Sequence, residues 1–540
     1  MADNLEYVTI LCEGGLDTTE NHLFLDSAKP GSASNIVNYE VGLYGGYRRI
    51  DGYAPYDATY QMVDDTNAEG AILGLAIFDN NGSDVVIAAR KQKASATYKF
   101  YYLGGGGWTA FAPGFTLNMS GSGGGVSKIR HAKVVFEGQD YIVFVDGVNY
   151  ATVYDGTTWY QLKSINTGTS ASPGGDQVLD APKYVRVFKN HVFLSGDYAY
   201  PEIVCHSSAE DIFNWTAAAG GGQLASSSKV KQIYPFREVL YVFNKTSIRG
   251  ISVSDTTFVI NDVATNIGCI APDSVIEING DILFLAQDGI RTVSGTDKIG
   301  DINLATVSRP MQKYINQLIS TYDMELLNSA VIKNKSQFRY YISTAAVDAV
   351  GVGIIGGLRE AQGGTSWEFF KLSGIRTSVS EVGYIGNTET TLHGDYDGSI
   401  FKQETGSSFD GTAITSVYAT PYLTFGNPLL RKTPVKMHFY MKPEGDLTAS
   451  VSTQYDWEST EVVNVPAYNG SISTEVDVYD GGAVYDDPGS IYATDSFQPI
   501  ITINTEGSFK SMKATLTTSS VQAPHTIQGI IIEFMVGGKR

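Results

Sequence analysis

Cysteine is scarce: Cys12, Cys205 and Cys269 are the three in 540 residues. An odd number of thiols this far apart excludes a disulfide framework and points to folding in a reducing cytoplasm. Long apolar runs are missing too. A stretch such as Ile530-Ile531-Ile532 falls far short of the ~20 residues a spanning helix needs, so no membrane segment is expected. The start, Met1-Ala2-Asp3-Asn4-Leu5-Glu6, has no basic region and no apolar stretch, so no signal peptide is expected. Positive charge is in the minority, with 38 Lys and Arg against 57 Asp and Glu and a net charge of −19. Such a chain is poorly suited to gripping a phosphate backbone, which needs clustered cations, and its partners are expected to be proteins. The seven histidines, His22, His131, His191, His206, His393, His438 and His525, show no H-x-x-x-H pair. Neither a Gly-x-Ser-x-Gly elbow nor a G-x-x-x-x-G-K-[ST] loop occurs. No catalytic, cofactor-binding or metal-binding residue is therefore assigned. The chain is read as a non-enzyme without a cofactor.

What is present favours strands. Apolar residues make up 43% of the chain, enough for a large core, and 58 glycines stand beside 33 tyrosines and many Thr, Val and Ile. The short clusters Gly104-Gly105-Gly106-Gly107 and Gly123-Gly124-Gly125 read as loops between strands. Tyr141-Ile142-Val143-Phe144-Val145 runs into Asp146-Gly147, then Tyr150-Ala151-Thr152-Val153-Tyr154 into Asp155-Gly156. Asp-Gly between β-rich runs marks hairpins, because glycine supplies the positive φ of such turns. The same order returns at Val192-Phe193-Leu194 with Gly196-Asp197, and from Ile276 through Asn279-Gly280 and Asp288-Gly289 to Val293. Trp108, Trp159 and Trp215 follow strand-turn patterns at intervals of 51 and 56 residues, and Trp367 closes a later unit. Four-stranded propeller blades repeat at roughly 40 to 50 residues, so an irregular β-propeller of about six or seven blades is expected.

Residues 308–320 carry the one good helical pattern. Ser308 is placed to cap it and Pro310 suits its first turn, while Met311, Tyr314, Ile315, Leu318 and Ile319 form one apolar face. From Ile414 onward the strands alternate more clearly, as in Val435-Lys436-Met437-His438-Phe439-Tyr440, Leu447-Thr448-Ala449-Ser450-Val451-Ser452 and Phe497-Gln498-Pro499-Ile500-Ile501-Thr502-Ile503. Period-two alternation means one buried and one wet face. The expected fold is all-β: residues 1–50 as an N-terminal segment packing on another domain, 51–410 as the propeller, and 411–540 as an antiparallel β-sandwich or barrel.

Three stretches imitate functional motifs. Gly351-Val352-Gly353-Ile354-Ile355-Gly356 spells the dinucleotide fingerprint, but Gly357 and Gly363-Gly364 leave no room for the helix whose N-terminus would bind pyrophosphate. It reads as a strand and turn. Asp79-Asn80-Asn81-Gly82-Ser83-Asp84 looks like part of a calcium loop, yet Ile77-Phe78 and Val85-Val86-Ile87 flank it as a hairpin. Asp395 and Asp397 take the same turn reading. Asp155-Gly156-Thr157-Thr158-Trp159 is similar to a sialidase Asp-box without the residue between Asp and Gly, and an Asp-box is itself a structural turn.

Several segments together resemble a family of bacteriophage tail-nozzle and head-to-tail connector proteins with propeller folds. They are Gly14-Gly15-Leu16-Asp17-Thr18-Thr19, Ser34-Asn35-Ile36-Val37-Asn38-Tyr39 and Gly46-Tyr47-Arg48-Arg49-Ile50-Asp51-Gly52-Tyr53 at the start. In the centre are Leu240-Tyr241-Val242-Phe243, Ile267-Gly268-Cys269-Ile270-Ala271-Pro272-Asp273-Ser274-Val275, Leu283-Phe284-Leu285-Ala286-Gln287-Asp288-Gly289-Ile290 and Leu304-Ala305-Thr306-Val307-Ser308-Arg309-Pro310. Thr420-Pro421-Tyr422-Leu423-Thr424-Phe425-Gly426-Asn427-Pro428, followed by Arg431-Lys432, resembles the family's C-terminal entry segment. The resemblance implies a structural virion protein, made in the host cytoplasm, forming a homo-hexameric ring at the phage tail. That ring would join an adaptor ring, carry tail fibre or spike proteins and give a channel for passing DNA without sequence-specific binding. Six copies of a −19 chain carry −114, and like charge lets DNA slide without sticking. The alternatives are a phage receptor-binding or polysaccharide-degrading propeller and a bacterial lectin-like module.

Overall fold

The computed structural model describes residues 5–57, 70–80, 82–92, 95–104, 107–164, 175–254, 257–294, 306–346, 349–361, 364–458, 467–472 and 500–537. Strands account for 55% of the structure and helices for 8%, which makes it an all-β protein. Asn81, the pairs Gly105-Gly106 and Leu304-Ala305, Gly363 and Phe497-Gln498-Pro499, all singled out in the sequence, lie outside the described residues.

Among these residues seven sheets follow one another as antiparallel blades. Blade 1 runs from Ile72–Asn80 through Ser83–Lys91 and Tyr98–Gly104 to Gly107–Ala110. Blade 2 starts at Arg130–Phe136 and ends at Trp159–Gln161, blade 3 spans Tyr184–Phe188 to Gly222–Ala225, and blade 4 Val230–Phe236 to Thr257–Ala264. Blade 5 has three strands, Ile276–Ile278, Asp281–Ala286 and Gly289–Thr292, with Thr306 bridging Arg291 at its outer edge. Blade 6 runs from Asn328–Ile332 to Gly364–Ser373. Blade 7 takes Val379–Ile385, Thr388–Gly394 and Ile400–Gln403 from late in the chain and its fourth strand, Tyr53–Pro55, from the N-terminal segment. The first strand of blade 7 packs on that of blade 1, so the ring closes. The structure is a seven-bladed propeller.

Apolar faces between neighbouring blades hold the ring. Phe78 and Phe100 of blade 1 meet Ile142 and Phe144 of blade 2, and Val143 and Val153 meet Val185 and Leu194 of blade 3. Phe193 and Val204 then meet Ile233 and Val242 of blade 4, Phe243 meets Ile282 and Phe284 of blade 5, and Leu392 of blade 7 closes on Ile77 and Ala88 of blade 1. Each side chain of this size removes roughly 1.5–3 kcal/mol worth of apolar surface from water.

A two-layer sandwich stands beside the ring. One layer is built on His525–Val536, with Lys432–Pro443 and then Ile500–Asn504 on one edge. On its other edge lie Leu5–Leu11 and the hairpin Tyr39–Val41/Tyr47–Arg49. The second layer contains Ile414–Ala419, Met512–Ser520, Leu447–Tyr455 and Tyr468–Ile472. Asn35–Val37 joins this layer to blade 6. It pairs antiparallel with Ile414–Ala419 and, through Val37 and Lys371, parallel with Gly364–Ser373, giving one nine-stranded sheet. Blade 6 and the sandwich consequently share one core, in which Phe338, Tyr340 and Phe369 continue into Tyr418, Leu516, Phe439 and Ile530.

The expected helix is present as a 3-10 turn Arg309–Met311 leading into an α-helix Gln312–Thr321, with Met311, Ile315 and Leu318 buried. Ser308 does not cap it. Its hydroxyl accepts from the Ile290 N–H at 2.8 Å instead, because the open edge of blade 5 offers that donor first. A second helix, His22–Ala28, is capped by Asn21, whose Oδ1 accepts from the Phe24 N–H. Among the described residues no helix is long and apolar enough to cross a membrane.

A chain that begins at Tyr56 loses the fourth strand of blade 7, the strand that joins blade 6 to the sandwich, and an edge of the first sandwich layer. It is expected to be recovered as aggregate, or to lack the thermal transition of the full chain in circular dichroism. A soluble product with the same midpoint would show that residues 5–55 are dispensable.

Candidate functional site

The look-alike motifs resolve as structure. Val352–Ala361 is the third strand of blade 6, and its glycines answer to packing. A Cβ on Gly353 would stand 1.9 Å from the Tyr340 carbonyl oxygen, and one on Gly356 would stand 2.3 Å from the Phe338 ring. Asp79 Oδ1 accepts from the Gly82 N–H at 2.7 Å, closing a hairpin. Asp155 Oδ1 accepts from the N–H groups of Thr157 and Thr158, and Asp395 Oδ1 from those of Asp397 and Ser399, so both carboxylates are turn acceptors. His191 and His206 do come together, with ring centroids 5.3 Å apart, but both Nδ1 atoms bond the Ser207 carbonyl and Phe258 packs on both rings.

One acidic trio is close enough for a metal ion: Glu40, Asp51 and Glu404. The Lys335 ammonium already sits among them, 2.7 Å from Glu40 Oε1, 3.1 Å from Asp51 Oδ2 and in contact with Glu404. Arg339 Nη2 reaches Glu40 at 3.0 Å and Glu404 at 2.7 Å, and Arg48 pairs with Glu40, Asp51 and Glu444. Burial disfavours the charge on Lys335, but Glu40 and Glu404 outweigh it and hold the pKa up. A lysine in the position of the cation makes this an ion-pair lock. It ties the N-terminal hairpin to blade 6, to the end of blade 7 and to the sandwich.

The propeller axis is the larger feature. A cavity of about 260 Å³ is lined by six of the blades, including Leu75, Arg130, Arg186, Gln232, Ser329 and Glu381, and by Asp273 and Val275 just before blade 5. A second cavity of about 530 Å³ meets it at Ser329, Ser380 and Glu381 and opens past Tyr234, Glu277 and Lys333. Asp273 accepts from Lys128 at 3.0 Å and from Arg130 at 2.7 and 2.8 Å. Burial alone would raise the Asp273 pKa; Arg130 and Lys128 reverse that and hold it below the usual carboxylate range. Beside them Lys183 and Lys231 both bind Glu325, at 3.0 and 2.6 Å. Burial works against the charge on Glu325 as well, yet the two lysines bring its pKa down to about 2. Further along, Glu381 accepts from His131 and pairs with Lys133. The sequence did not single out this channel, because no blade contributes more than three of its residues. Asp273 lay within the family-like segment Ala271-Pro272-Asp273, with no role attached.

Two predictions follow from these buried charges. Lys335→Met leaves three carboxylates facing one another without their shared cation, which is expected to cost about 3–5 kcal/mol in denaturant unfolding. Burial holds His393 and His525 neutral, with pKa values pushed down to about 3. Unfolding releases both to their ordinary value of 6.5, so the unfolded chain binds protons first as pH falls. Stability is full above pH 6.5 and declines from there to about pH 3, by about 1.4 kcal/mol per pH unit for each histidine. His525→Gln, which keeps a partner for the Tyr39 hydroxyl, is expected to remove one proton from that slope between pH 6.5 and 4.5.

No protein-family model matches the chain, and no curated protein matches it. Solved structures similar to it include the Neurospora crassa Pan2 WD40 domain, at 7% identity and a TM-score of 0.33, covering 66% of this chain and 96% of that domain. An ancestral GH74 enzyme is similar at 10% identity and a TM-score of 0.29, covering 68% of this chain and 50% of that one. The seven-bladed assignment rests on the strand pairing and ring closure described above.

Proposed function

We propose that this chain is a structural subunit of a bacteriophage tail, one copy of a closed ring at the nozzle or head-to-tail connector. The observation that carries this reading is the outer face of the first sandwich layer. There Leu5, Tyr7 and Leu11 are exposed on one side of their strand, Tyr7 to 75%. Their cross-strand neighbours extend the face: Met535 opposite Leu5, Ile531 opposite Thr9, and Tyr440 in line with Leu11 across Gly529. Apolar groups gathered on one wet sheet face mark an interaction surface. The sandwich that bears this face is fused to the propeller through a continuous sheet, so the surface is carried by a rigid block. In a closed ring this face would meet a different patch on the next copy, a heterologous contact repeated by rotation.

In this reading the ring is a homo-hexamer in the virion. It joins an adaptor ring and tail fibre or spike proteins, and its acidic balance leaves passing DNA unbound. The family-like segments at residues 34–39 and 46–53 support it, since they hold Asn35–Val37 and Tyr47–Arg49, two of the N-terminal strands built into the sandwich.

Native mass spectrometry and negative-stain imaging of the purified protein test the proposal. A six-membered ring is expected, and the double variant Tyr7→Lys/Leu11→Lys is expected to fall to monomers with an unchanged circular dichroism spectrum. A wild-type chain that stays monomeric at every concentration, or that releases saccharides from host-surface glycans, overturns it.

A further inference from the structure

We infer that the propeller axis is a binding site for a small oxyanion, with a phosphate group as the chemical class it fits and Arg186 as its main contact. The charges set this up. Five cations, Lys128, Arg130, Lys183, Arg186 and Lys231, share only two carboxylates, Asp273 and Glu325, at that end of the channel. Glu381 is committed to His131 and Lys133. The surplus of three positive charges lies inside a protein whose net charge is −19.

Arg186 holds the unspent part of that surplus. Its Nη1 donates to the Val185 carbonyl at 3.1 Å and its guanidinium lies 5.3 Å from the centre of the Tyr234 ring. Among the described residues no carboxylate pairs with it, which leaves its other donors on the cavity wall open to a ligand. Arg130, also on the cavity wall and nine-tenths buried, has an Nη1 with no hydrogen-bond partner. A buried donor such as Arg130 Nη1 is costly to leave unpaired, and an oxyanion accepting from it and from the Arg186 fork relieves that cost. The volume of about 260 Å³ admits a phosphate group with its water and excludes a duplex. The ring of blades fixes the donors in place before any anion arrives, which favours binding over reorganisation.

The site is independent of the ring proposal, since it lies on the axis of a single chain. Isothermal titration of the full-length protein with inorganic phosphate and with pyrophosphate tests it, in a buffer free of other oxyanions. One saturable site per chain with a dissociation constant below about 1 mM is expected. Arg186→Gln is expected to weaken binding at least tenfold while leaving the thermal midpoint in the absence of phosphate within a few degrees. Should that variant fail to fold, wild-type crystals soaked in selenate give a second readout, with the anomalous peak expected beside the Arg186 guanidinium. No saturable heat, equal affinity in the variant, or a selenate peak only elsewhere overturns the assignment.

Discussion

Residues 35–55 put strands into three separate sheets. Asn35–Val37 joins blade 6 to the sandwich, Tyr39–Val41 and Tyr47–Arg49 extend the opposite sandwich layer, and Tyr53–Pro55 completes blade 7. A propeller is a closed ring only if its last blade is zipped, and an open sheet edge is a site for unwanted pairing. Here the zipper strand follows directly on the strands that anchor the sandwich. Closure of the ring and docking of the sandwich are therefore enforced by the same backbone hydrogen bonds.

Charge placement reinforces that arrangement. Buried ion pairs gain little net energy, because desolvation consumes most of the Coulomb attraction. Their value is selectivity: Glu40, Asp51, Lys335, Arg339 and Glu404 can all be satisfied only when the N-terminal hairpin, blade 6 and the end of blade 7 stand in one register. A slip of one residue in Tyr39–Val41 would turn Glu40 to the other face and strand the cations. Arg49 adds to this, since its guanidinium donates to the carbonyls of Ser407, Ser520 and Gln522 at the far ends of the blade 7 linker and the sandwich.

Local features were the legible part of the sequence. Asp-Gly turns, the β-rich runs and the 3.6-residue pattern of Met311, Ile315 and Leu318 each act over a few residues, and each appears as an element where it was read. Trp108 and Trp159 do occupy matching outer strands of blades 1 and 2, whereas Trp215 is buried in a loop of blade 3. A steadier repeat was available in the Asp or Asn that ends the second strand: Asp146, Asp197, Asn244, Asp288 and Asp395 all sit at or just after it. Several of these carboxylates accept turn N–H groups, as Asp146 does from Val148 and Asn149, so the residue type is dictated by the turn. The helix His22–Ala28 is only seven residues long and shows little periodicity. Long-range pairing left no local mark. Nothing near Ala54 announces Lys402 as its partner, and nothing near Val37 announces Lys371.

The axial site was illegible for a related reason. Arg130, Arg186, Gln232 and Glu381 come from the first strands of four different blades, and only ring closure brings them to a common axis. That closure also separates charge. With a surplus of three positive charges on the axis and −19 in total, the rest of the chain carries −22. The low-dielectric blade walls focus the field of the inner cations along the channel, while the excess negative charge lies elsewhere in the chain. The fold thus gives the axis a positive character inside an acidic chain without any segment of the sequence being strongly basic.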